Sequence, residues 1–230
     1  AQALGAWLHL GQAGAARLGR GGAEHHIVQR AQRDVALRPQ GFGQGAGLQA
    51  GDEGRDVGHH RHARGHAQDD EQRLAAALRG DVDHYRTRLE ANLNAMRNLP
   101  AAAGLPLAAI GFCMGGQAVL ELARAGKELA AVVSFHGLLD TARPARAPVH
   151  PRILVCHGDQ DPMAPRDQVV AFWQEMDAAE AHWHFHAYSG VKHGFTDPAS
   201  DSRGLAAVGY DASADRQSWA AMLNLFDELF

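Results

Sequence analysis

Apolar residues fall in two regimes along the chain, and the change comes near residue 73. From residue 74 onward they recur with clear periods. In "DEQRLAAALRGDVDHYRTRLEANLNAMRNLP", Val82, Tyr85, Leu89, Leu93 and Met96 stand three or four positions apart. That spacing predicts one amphipathic helix face, stopped by Pro100. Short apolar runs predict buried strands at 105–112, 129–137 and 151–161. "AHWHFHAYSG" (181–190) alternates apolar and polar positions and predicts a fourth strand. Between them, "GGQAVLELARAGK" and "APRDQVVAFWQEMDAAE" predict helices, the first ended by Gly126. "SADRQSWAAMLNLFDELF" predicts an amphipathic closing helix. Strands alternating with helices at this spacing imply a mostly parallel sheet flanked by helices, an α/β fold.

Residues 1–73 read differently. They hold more than half of the 26 glycines and about half of the 15 histidines, with "HHIV" the one hint of a strand. Such Gly-, His-, Arg- and Gln-rich sequence predicts loop or disorder, because it has little to bury. The same palette is expected if a GC-rich gene is read here in the wrong frame. The domain reading is therefore an atypical segment, 1–73, before the C-terminal part of an α/β domain, 74–230, with the sheet incomplete.

Composition narrows the function. The chain has 230 residues and 46% hydrophobic content, enough for one sizeable core. A formal charge of −4 gives no polybasic signal, so nucleic acid is not the expected partner. The apolar runs are too short to span a membrane, and the start reads as no signal peptide. The first residue is Ala rather than Met, which suggests a fragment or a processed product. Two cysteines, Cys113 and Cys156, make no disulfide framework and fit a reducing, cytoplasmic setting.

The chemistry concentrates at "GFCMGGQA" (111–118). A strand, then G-x-Cys-x-G, then a helix is the nucleophile-elbow pattern with Cys in place of Ser. So sharp a turn needs small neighbours, met by Gly111 and Gly115 at −2 and +2. A helix start favours the thiolate of Cys113. The backbone N–H of Met114 would face a developing oxyanion. An elbow of this kind should be followed by an acid after a later strand, then by a His near the chain end. "ILVCHGDQDPMAP" supplies Asp159 and Asp161, and "YSGVKHGFTDP" supplies His193.

Taken together, "GFCMGGQAVLELA", "ILVCHGDQDPMAP" and "YSGVKHGF" resemble the dienelactone hydrolase (carboxymethylenebutenolidase-like) family of α/β-hydrolases, over roughly residues 74–230. The resemblance implies Cys113 as nucleophile, His193 as general base and Asp161, rather than Asp159, as the acid. It implies hydrolysis of a small ester or lactone through a thioester, with neither metal nor organic cofactor. Dienelactone hydrolases proper carry an Arg four residues after the catalytic His, where Asp197 stands here. The implied substrate is therefore broader than a dienelactone. The loop expected to carry a second oxyanion N–H, and a Glu that modulates the Cys, is not found before residue 74. Glu24 lies in the wrong context. The competing expectation is an inactive hydrolase remnant acting at most as a binding module.

Other candidates weigh less. Cys156 sits within an apolar strand and reads as structural. His136 and His157 end buried strands and read as hydrogen-bonded structural histidines close to the site. Asp140 reads as a helix cap before a substrate contact. His182, His184 and His186 share one strand face, which reads as the polar face of a half-buried strand before a metal site. "GHHRHARGH" is a weaker chelator still. "GQGAGLQAG" is no phosphate loop, since no Lys-Ser/Thr follows it.

Overall fold

The computed structural model describes residues 6–10, 16–20, 73, 75–146 and 148–230. The segments "HHIV", "GHHRHARGH" and "GQGAGLQAG", and Glu24, lie outside these described residues.

Among the described residues six strands form one sheet: β1 (Ala6–Leu10), β2 (Ala16–Arg20), β3 (Leu107–Phe112), β4 (Ala131–Phe135), β5 (Arg152–Gly158) and β6 (Trp183–Tyr188). Their order is β2-β1-β3-β4-β5-β6, with β2 antiparallel to β1 and every other pair parallel. Strands β1 and β2 fall where the sequence pattern predicts none. "AWLHL" and "ARLGR" are five residues each, too short for their periods to register.

Four helices are described: α1 (Val82–Arg97), α2 (Met114–Arg124), α3 (Arg166–Ala178) and α4 (Ala212–Leu229). Residues 75–80 are also helical, and the chain breaks at Asp81, so the single long helix of the sequence reading is two. The side chain of Asp81 accepts from the His84 N–H at 3.0 Å, capping α1. Gly126, at φ +68°, ends α2 as expected, and the Lys127 N–H donates back to Leu122 at 3.1 Å. Asp211 caps α4 through the N–H groups of Ser213 and Ala214.

β3, β4 and β5 are buried on both faces, which is why they read as continuous apolar runs. Leu107, Ala109, Val132, Ile153 and Val155 face one core, with Leu93, Val119, Leu122, Phe172 and Met176 from α1, α2 and α3. Ala108, Ile110, Val133, Phe135, Leu154 and Cys156 alternate with them and face a second core with Met222, Leu225 and Phe226 of α4. β6 pairs only with β5 among the described residues. Trp183 and Phe185 pack inward, while His182, His184 and His186 are exposed.

One crossover departs from the expected alternation. Among the described residues no helix joins β4 to β5, so Asp140 caps none there, and that expectation is corrected. The connection is pinned by side chains from elsewhere. Arg124, fully buried, donates to the Leu139 carbonyl at 2.6 Å and pairs with Glu121 and Glu175, each at 2.9 Å. Arg86 pairs with Glu121 at 2.8 Å and donates to the Arg143 carbonyl at 2.6 Å. Glu175 accepts the Ala145 N–H at 2.9 Å. Arg79 holds Asp140 at 2.6 Å. Among the described residues no helix is long and apolar enough to cross a membrane.

Candidate active site

Cys113 stands between β3 and α2 with φ +53° and ψ −119°, a conformation that L residues rarely adopt. The glycines around it make that turn possible. A Cβ on Gly111 would lie 1.9 Å from the Gly115 carbonyl oxygen. A second close approach was not singled out in the sequence. A Cβ on Gly116 would lie 2.8 Å from the Cα of Gly137, so the start of α2 rests directly on the end of β4. The turn leaves Cys113 half-buried at the N-terminus of α2.

The parallel sheet brings the ends of β3, β5 and β6 to one edge. Nε2 of His193 lies 3.1 Å from Sγ of Cys113, and Nδ1 lies 2.7 Å from an Asp161 carboxylate oxygen. The other Asp161 oxygen accepts the Met163 N–H at 2.8 Å. Asp161 and His193 are both buried. Asp159 turns away and pairs with exposed Arg166 at 2.6 Å.

Each group of this contact shifts the proton affinity of the other. Burial pushes the Cys113 thiol up, but the hydrogen bond and charge of His193, with the Met114 N–H, bring it below its ordinary value. Burial pulls His193 down, but its bonds to Asp161 and Cys113 and their charges raise it to about 9. Both shifts favour a thiolate–imidazolium pair. Cys156 is the opposite case, its thiol pushed up to about 12 by burial. Both cysteines are free.

Two groups brace the turn. Tyr85 donates its hydroxyl to the Met114 carbonyl at 3.3 Å. His136, at φ +39°, accepts the Cys113 N–H at Nδ1 (3.2 Å) and lies 2.9 Å from Thr196 Oγ1 at Nε2. A cavity of about 270 Å³ lies beside Tyr85, lined also by Arg79, Gln117, Glu121, Asp140 and Thr141. Asp140 holds Gln117 at its edge, its backbone oxygen accepting the Gln117 side-chain N–H at 2.9 Å.

The remaining candidates lie apart from this cluster or serve it indirectly. Asp197 pairs with Arg203 and accepts the Ala199 N–H, opening a 3₁₀ turn at Pro198–Arg203. His157 is buried beside Phe185, and burial lowers its pKa. His182 and His184 set their rings edge to face at 5.7 Å. Among the described residues no group of three or more His, Cys, Asp or Glu is arranged to hold a metal ion. The loop expected to bear a second oxyanion N–H lies outside the described residues.

Comparison with known proteins bears on this geometry. The model of the dienelactone hydrolase family matches residues 35–230, beginning before residue 74, from which the resemblance in sequence was expected to run. An uncharacterized protein of Caenorhabditis elegans is 39% identical over 146 residues, which are 62% of this chain and 92% of that protein. The crystal structure of a dienelactone hydrolase-like promiscuous phosphotriesterase from metagenomic libraries is 40% identical, with a TM-score of 0.62. That match covers 67% of this chain but 65% of the other. The solved structure of m3DLH is 38% identical, with a TM-score of 0.66, over 71% of this chain and 68% of that one.

Proposed function

The chain belongs to the dienelactone hydrolase family, and on that premise we propose that it hydrolyses a small ester or lactone through a thioester formed on Cys113. One observation carries the reading. His193 lies within hydrogen-bond reach of Cys113 on one ring nitrogen and of Asp161 on the other.

In this mechanism the thiolate of Cys113 attacks the carbonyl carbon. The carbonyl π pair moves to oxygen, and the Met114 N–H stabilises the oxyanion. The tetrahedral adduct collapses and breaks the ester C–O bond. His193 gives its Nε2 proton to the leaving alkoxide and becomes neutral. It then takes a proton from water, whose oxygen attacks the thioester. Collapse expels the Cys113 thiolate and releases the acid, and His193 keeps the proton taken from water, so the ion pair is restored. Asp161 orients the ring and stabilises its cation throughout. These residues need no metal or organic cofactor, and a reducing, cytoplasmic setting suits an unpaired reactive thiol.

Hydrolysis of p-nitrophenyl acetate by the chain and by Cys113→Ala tests the proposal. Turnover should vanish with the thiol, and acidified quench should trap a thioester on Cys113. Turnover that survives Cys113→Ala overturns it. A phosphotriester belongs in the same assay, given the promiscuous relative.

A further inference from the structure

Cys113 and His193 meet from loops 80 residues apart, and a third side chain touches both loops. The His136 ring accepts the Cys113 N–H at Nδ1, 3.2 Å away. That N–H is shared with the Phe135 carbonyl at 3.0 Å. An accepting Nδ1 carries no proton, so the proton of a neutral ring sits on Nε2. Nε2 then donates to Thr196 Oγ1 at 2.9 Å, three residues beyond His193. The ring also stands edge-on to His193, centroids 5.1 Å apart, and to Phe195 at 5.3 Å. It is buried and sits at a positive φ, so the backbone accepts strain to hold it there.

Resting on the proposed role of Cys113, we propose that His136 is a positioning residue. As a neutral Nε2–H imidazole it clamps the Cys113 turn to the loop bearing His193, fixing the Sγ–Nε2 separation on which the ion pair depends. Burial, then the charge of His193, keeps the ring neutral, with Arg203 acting the same way. A charged ring would lose its acceptor for the Cys113 N–H and face the imidazolium of His193.

The two ring nitrogens can be tested separately. His136→Gln removes the acceptor near the Cys113 N–H, whereas His136→Asn places Oδ1 close to the position of Nδ1. Thr196→Val removes the Nε2 partner, and Thr196→Ser restores it. The readout is the pH dependence of Cys113 alkylation by iodoacetamide in the full chain. His136→Gln should raise the apparent thiol pKa toward the ordinary value of about 8.5 and slow alkylation at pH 7 by roughly tenfold. His136→Asn should recover most of that loss, and Thr196→Ser most of what Thr196→Val loses. A His136→Gln thiol that titrates like the wild type overturns the proposal, as do equal losses in the Asn and Gln variants. Circular dichroism establishes folding. If His136→Gln does not fold, Thr196→Val decides, and an unshifted thiol in that variant overturns the clamp. Alkylation needs no turnover, so absence of ester hydrolysis in the wild type would count against the hydrolase reading alone.

Discussion

Sγ of Cys113 and Nε2 of His193 are 3.1 Å apart, and each moves the other's proton affinity in the direction that favours charge separation. The thiol falls below its ordinary value while the imidazole rises to about 9. The two sites titrate as a pair, so their apparent pKa values belong to the couple.

The pH dependence has a definite sign. The thiolate forms above the lowered Cys113 pKa, and its imidazolium partner persists until pH rises through about 9. Alkylation of Cys113 should stay fast at neutral pH and fall only as acid protonates the thiolate. The raised His193 pKa stabilises the fold fully below the ordinary histidine pKa of about 6.5, and that contribution is lost as pH rises through about 9. Iodoacetamide kinetics and urea midpoints between pH 5 and about 10 check both limbs. Buried Cys156 should not contribute, because its thiol is held at about 12.

The two aspartates of "GDQD" should separate cleanly. Asp161→Asn leaves His193 Nδ1 facing an amide and should cut kcat by about a thousandfold. Asp159→Asn removes only the pairing with exposed Arg166 and should leave kcat within about twofold. Steady-state kinetics on p-nitrophenyl acetate compare them. Equal losses would contradict the geometry.

Gly111→Ala should prevent the elbow from forming. Its Cβ would meet backbone 1.9 Å away, where no flexible side chain can yield. A loss of about 4 kcal/mol or more is expected, read as a fall in the urea midpoint or as insoluble protein. Gly126→Ala has open space and suffers only the positive φ, so about 1 kcal/mol is expected.

Glu121 should matter for stability without touching chemistry. Its carboxylate accepts from Arg86 and from fully buried Arg124. Glu121→Ala strands the Arg124 charge with Glu175 alone and should cost about 3 kcal/mol in urea unfolding. The folded fraction should keep its kcat within about twofold. A variant as stable as the wild type would show that the network carries little energy.

β3, β4 and β5 were legible because both faces of each are buried, so apolar runs mark them, and β6 because its half-burial leaves an alternating pattern. The break at Asp81 was not, since one Gly-Asp pair interrupts a helical pattern that continues on both sides. β1 and β2 escaped because their residues give no period over five positions. Part of the family match, 35–73, likewise rests on sequence in which periodicity finds nothing. The sheet edge gathers Cys113, Asp161 and His193; chain order pointed to Cys113, His193 and two aspartates, and the family resemblance implied Asp161 of the two. His136 was legible as a buried histidine but not as a bridge. Its partners are a backbone N–H and a threonine 60 residues away, and no spacing rule encodes such a contact. The approach of Gly116 to Gly137 hides in the same way, because it depends on how α2 docks on β4.

The β4–β5 crossover stores its shape outside itself. Between Leu139 and Ala145 it makes no repeating backbone pattern, and its carbonyls and amides are held by Arg86, Arg124 and Glu175 on three different helices. Its conformation is thus heritable through positions far from it. A drift at Arg86 or Glu175 can rewrite this stretch while every residue inside it stays unchanged, and grafting the stretch alone onto another scaffold would transfer its letters without its form.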